Sequence, residues 1–206
     1  MNLPGETALS RWERDFPGRS ALGQELVRRY GSVSRSYHDA RHLIEVLDAV
    51  DAMAAEADDI DAVRLAAWFH DAVYDVRAGD NEQRSAELAE SVLPAYDVDE
   101  HTVAEVVRLV RLTESHDPEP GDNNGSVLCD ADLAILASDE GRYATYVDGV
   151  RAEYRHVDDR TFAIGRAAVL RHLLGLTSLY RTKYGQATWE PQARANVQRE
   201  LEELTY

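Results

Sequence analysis

Apolar residues recur at helical spacing along nearly the whole chain, and no segment sustains the alternation of a half-buried strand. Leu43, Val46, Leu47 and Val50 fall at i, i+3, i+4 and i+7, which puts them on one face of a helix over about 38–56. Val103, Val106, Val107 and Val110 repeat the spacing, and Ala193, Val197, Leu201 and Leu204 repeat it near the C-terminus. Val127 to Leu136 alternates partly, but its helical surroundings favour a helix there too. The expectation is an all-α, compact multi-helix bundle. Breakers at Pro17-Gly18, Gly31-Ser32, Gly79-Asp80, Pro94, Gly141 and Gly185 cut it into helices of ordinary length. The longest irregular stretch, Glu114 to Ser126, has the length at which a loop in a compact domain usually carries function.

The 206 residues suit a single domain, since none of the breaks is long enough for a linker. The balance of 22 Lys+Arg against 38 Asp+Glu gives a net charge of −16, which would repel a phosphate polymer. Neither nucleic-acid polymer nor membrane is an expected partner, because no run approaches the roughly 20 apolar residues of a membrane span. Cys129 is the single cysteine, so no intramolecular disulfide forms, and a cytoplasmic location is expected. Lys183 is the one lysine, and there is no GxxxxGK phosphate loop; Schiff-base chemistry and P-loop nucleotide binding drop out.

One segment departs from the amphipathic pattern. Val63 to Val76 is apolar on nearly all sides, which marks a central helix, yet it contains His70 and Asp71. Burying even a neutral polar group without a partner costs roughly 2–7 kcal/mol. A divalent cation resolves this by binding a neutral imidazole and an ionised carboxylate together. Adjacent helical positions point about 100° apart, so both groups reach one ion only near the helix end, with ligands from other helices. His42, on the inward face of its helix, and Asp132, an acid set among apolar residues, complete the expected ligands His42, His70, Asp71 and Asp132. Asp130 and His38 are neighbours that hold a ligand in place or replace one. Mixed N/O ligation admits Mn, Fe, Co, Ni, Zn or Mg.

In this order the residues resemble the HD superfamily of metal-dependent phosphohydrolases, in particular a bacterial subfamily of uncharacterised predicted phosphohydrolases. The resemblance rests on YHDARH (37–42), FHDAVYD (69–75), NEQRSA (81–86), LCDADLAIL (128–136), VRAEY (150–154) and EPQARANVQREL (190–201). It implies one HD-type helical domain over 1–206, with a metal-binding core at about 37–137 and C-terminal helices over 140–206 packed on it. The implied activity is hydrolysis of a small phosphate ester, a nucleotide among the candidates, by metal-activated water. Tyr74-Asp75 stands where relatives that hydrolyse (p)ppGpp carry a Glu-Asp pair, which argues against that substrate. Asp75 or Glu82 is the expected general base or ligand anchor, His116 the proton donor to the leaving group or a ligand to a second metal, and Arg151 and Arg166 the phosphate-binding residues. The expected partner is a small phosphorylated substrate; a homodimer is left open. Two other functions fit the same core: a di-iron oxygenase recruiting His38 and His116, and a metal-stabilised sensor domain without catalysis.

Overall fold

The computed structural model describes residues 3–205, and these form eleven α-helices with no strand among them. In chain order they are α1 (Pro4–Asp15), α2 (Ser20–Tyr30), α3 (Ala40–Ala52), α4 (Ile60–Phe69), α5 (Asn81–Val92) and α6 (Glu100–Leu112). There follow α7 (Asn123–Asp132), α8 (Glu140–Glu153), α9 (Asp159–Gly175), α10 (Lys183–Thr188) and α11 (Glu190–Thr205). The all-α expectation holds.

Aspartate starts six of these helices. The carboxylates of Asp39, Asp59, Asp99, Asp122, Asp139 and Asp158 accept N–H bonds from the first turns of α3, α4, α6, α7, α8 and α9. An acid there satisfies an otherwise unpaired amide and lies at the positive end of the helix dipole. Part of the acidic excess is therefore a helix-starting device.

Apolar side chains gather in two clusters. The larger draws on α1 to α7 and centres on Trp12, Leu43, Leu47, Trp68 and Phe69, with the two tryptophan rings edge to face at 5.1 Å. The smaller joins Tyr37, Leu136, Tyr143, Tyr146, Leu170, Tyr180 and Val197, where α11 packs on α9 and on the 3₁₀ turn Leu133–Ala137. Leu43, Val46, Leu47 and Val50 are all buried, as are Val103, Val106, Val107 and Val110.

Three boundaries differ from expectation, each for a local reason. The expected central helix over 63–76 ends at Phe69. His70 still bonds back to the Ala66 carbonyl, but the Asp71 amide turns to the Tyr30 hydroxyl, 3.3 Å away, and the α4 hydrogen-bond series stops. The helix expected over 38–56 is shorter, because Asp39 caps α3 from outside and the chain tightens into a 3₁₀ turn after Met53. The irregular stretch expected to reach Ser126 ends at Asp122, whose carboxylate takes the Gly125 amide and opens α7.

Candidate metal centre

His42 lies in the first turn of α3, His70 and Asp71 just beyond the end of α4, and Asp132 at the last position of α7. Three helices thus bring these residues to one point between the two apolar clusters. The two imidazole Nε2 atoms are 3.2 Å apart. Asp132 Oδ1 lies 3.1 Å from His42 Nε2 and 3.5 Å from His70 Nε2, and Asp71 Oδ2 lies 3.6 and 3.2 Å from the same two atoms. Donors held about 2.0–2.2 Å from one cation stand about 3.0–3.4 Å apart when they are neighbours in its coordination shell. Three of the five distances fall within that range and the other two exceed it by 0.1–0.2 Å.

His42, His70 and Asp132 could hold a metal ion. Ending α4 at Phe69 frees the Ala67 carbonyl, which lies 2.7 Å from His70 Nδ1. A carbonyl can only accept, so Nδ1 carries a proton, and in the neutral ring that a cation needs Nε2 turns its lone pair to the other donors. Asp71 Oδ2 is buried with no hydrogen-bond partner in the protein, an arrangement that a cation would satisfy. Without one, the groups compensate each other electrostatically. Burial opposes protonation of His70, but the charges of Asp71 and Asp132 outweigh it and hold the imidazole well above its usual range. Burial likewise opposes ionisation of Asp71 and Asp132, and the surrounding histidines overcome it, holding both carboxyls below theirs.

A cavity of about 290 Å³ opens beside this cluster, lined by His38, His70, Asp71, Glu82, His116 and Asp132. Tyr74, Asn81 and Tyr154 also face it. His116 sits on a left-handed backbone position (φ 50°), and its Nε2 reaches the second Asp132 oxygen at 2.8 Å. A smaller cavity of about 180 Å³ lies against His42 and Asp132 on the side of Glu45 and Arg142. Asp132 faces both.

Four of the expected site residues stand elsewhere. Asp75 is exposed and closes its own turn by accepting the Arg77 amide, while Asn81 bonds its backbone on both sides. Arg151 is spent on Asp159 and on the Tyr154 and Val157 carbonyls. Arg166 is bidentate to Glu200 and also donates to the Tyr146 hydroxyl. Asp130 holds no ligand histidine: it accepts the Arg181 and Thr182 amides and the Thr182 hydroxyl, fixing the approach to α10. No arginine or lysine lines the larger cavity.

Sequence reasoning missed the supports. Arg35 is buried between the Tyr30 and Tyr74 rings and donates to the carbonyls of His38, Asp71 and Ala72, tying the loop before α3 to the segment after α4. Glu153 accepts the Ser36, Tyr37 and His38 amides, the Tyr74 hydroxyl and a bond from His38 Nδ1. Gly149, one turn earlier on α8, makes that possible: a Cβ there would come within 2.8 Å of the Ser36 carbonyl oxygen. No spacing rule announces such contacts, because most of the partners are far apart in sequence: 115–117 residues from Glu153 to residues 36–38, 79 from Glu153 to Tyr74, and 36 and 37 from Arg35 to Asp71 and Ala72.

What fold and site together define is an all-α protein with a candidate His/Asp metal centre. Scans against protein-family models, curated proteins and solved structures return no match to this chain.

Proposed function

We propose that this protein is a metal-dependent hydrolase of small phosphate esters, of the HD type that its motifs resemble. One observation carries the reading. His42, His70-Asp71 and Asp132, distant in sequence, meet with interdonor distances of 3.1–3.6 Å beside an open cavity, and Asp71 Oδ2 is left without a protein partner. These four residues would hold one divalent ion, with Asp71 as the fourth donor. Such an ion supplies a Lewis acid that polarises a phosphoryl oxygen and acidifies water near neutral pH.

The chain's own groups have separate tasks. His116, hydrogen-bonded to Asp132, faces the cavity where a leaving oxygen needs a proton. Glu82, in the first turn of α5, is the carboxylate available there as a base; Asp75 is too far out on its turn to share that role. The cavity wall carries acids and histidines and no fixed cationic side chain, which favours a monophosphate or a diester over a polyphosphate.

The test is to reconstitute the protein separately with Mn, Fe, Co, Ni, Zn and Mg and screen each form against phosphomonoesters, phosphodiesters and nucleotides for phosphate or product release. Turnover of a singly phosphorylated compound that is lost in Asp71→Asn supports the reading, and no turnover by any fully loaded form counts against it. His38 and His116 on the cavity wall also favour a second reading, a di-iron oxygenase. Two irons per chain with oxygen consumption would replace the hydrolase.

A further inference from the structure

Glu153 has a side chain closed off from solvent, and its carboxylate is fully engaged. Oε1 accepts the amides of Ser36, Tyr37 and His38 at 2.8, 2.8 and 3.1 Å. Oε2 takes the Tyr74 hydroxyl at 2.8 Å and lies 2.7 Å from His38 Nδ1. Burial pushes this carboxyl up, but the His38 contact and the backbone and hydroxyl donors prevail and hold its pKa at about 2. It is therefore an ionised acceptor at neutral pH. Such an acceptor needs a proton on Nδ1. Burial works against protonation of His38, but the charges of Asp71 and Glu153 raise its pKa above the ordinary range; once the ring is neutral, the proton it keeps is the one on Nδ1 and Nε2 has none.

Everything else around the ring reinforces one orientation. His38 stacks on Tyr74 with centroids 4.4 Å apart, and the Arg35 guanidinium fixes the His38 carbonyl while lying over the Tyr30 and Tyr74 rings. Nε2 makes no hydrogen bond within the described residues, and His38 lines the cavity beside Asp71. A buried carboxylate with five donors is more than an interhelical tie requires.

We infer that Glu153 is a positioning residue that fixes His38 as its Nδ1–H tautomer, so that Nε2 presents a lone pair to the cavity as the hydrogen-bond acceptor for a water or a substrate hydroxyl. The inference rests on reading the cavity as the reaction chamber. It makes His38 a ligand-contacting group separate from the metal donors, and it gives Tyr74, at the position where the resemblance placed an altered residue, the task of sharing Glu153 and flanking the ring.

The experiment is two-bond ¹H–¹⁵N correlation NMR of the full chain with ¹⁵N-labelled histidine, with and without Zn²⁺, His38 being assigned from its loss in His38→Gln. Expected for the neutral His38 ring, read above its raised pKa, are a protonated Nδ1 and a pyridine-like Nε2, with the preference lost in Glu153→Gln and kept in Tyr74→Phe. Zinc stoichiometry should be the same in His38→Gln as in the wild type. An Nε2–H tautomer of the neutral ring in the wild type, or a ring that stays doubly protonated over the whole pH range in which the protein is folded, overturns the inference, and this result needs no variant to fold. Loss of zinc in His38→Gln also overturns it, because His38 would then be a ligand. Failure of the wild type to bind zinc would instead strike the proposed metal site, while the tautomer stays readable in the metal-free protein.

Discussion

His70 shows how a single side chain is prepared. Its Nδ1 is committed to the Ala67 carbonyl, so the neutral ring offers a lone pair at Nε2, and this depends on α4 ending one residue earlier. Asp71→Asn keeps the shape and removes the charge; bound divalent metal measured by mass spectrometry should fall at least tenfold, with little change in the far-UV circular dichroism. Arg35→Ala leaves three carbonyls without their donor and two tyrosine rings without their filler, which should lower stability by about 2–4 kcal/mol in urea unfolding. Glu153 gives a pH signature. Its folded pKa of about 2 lies below the ordinary 4.5, so its contribution is complete above pH 4.5 and is lost as pH falls towards 2. In Glu153→Gln, acid unfolding monitored by tryptophan fluorescence should lose steepness in that window; an unchanged profile would show that the carboxylate adds no pH-dependent stability.

At the scale of helices, close approach and helix ends do the positioning. α8 comes near enough to Ser36 and Tyr37 for Glu153 to reach them only because residue 149 lacks a side chain. Gly149→Ala should therefore push α8 away and loosen the His38 loop, read as faster amide exchange at Tyr37 and His38 than at the core amides of α4. Expectation from sequence was sound where it used periodicity: the faces of α3 and α6 are buried as the spacing of Leu43 to Val50 and Val103 to Val110 requires. It failed where a tertiary partner intervened. The Val63–Val76 pattern carries no mark of the Tyr30 hydroxyl that ends α4, and Arg151 and Arg166 look as free in sequence as any arginine, though Asp159 and Glu200 occupy them. That His42, His70, Asp71 and Asp132 lie together was legible because burying charge is costly enough to leave a trace in composition. Glu153 and Arg35 were not, because a carboxylate or guanidinium that serves distant backbone groups looks like any surface charge until the fold is known.

For the whole molecule, the net charge of −16 reads differently once the acids are placed. Six aspartates start helices, and Glu56, Asp130, Glu153 and Glu190 each accept backbone amides of a distant segment, so much of the surplus acid is structural. Only a few acids face the cavity, and there they meet histidines with no fixed cation. A cation bound at this point would join α3, α4 and α7 and stabilise the folded state by mass action, by about 2.7 kcal/mol at a concentration 100 times its dissociation constant. Whether His42, His70, Asp71 and Asp132 form one metal site is measured most directly as the metal content of the chelator-stripped protein after titration with Mn²⁺, Co²⁺ or Zn²⁺. Expected is one ion per chain for at least one of these metals, reduced to background in His70→Ala and accompanied by a rise in Tm that the variant lacks. No stoichiometric uptake by the wild type, or full uptake by His70→Ala, would contradict it.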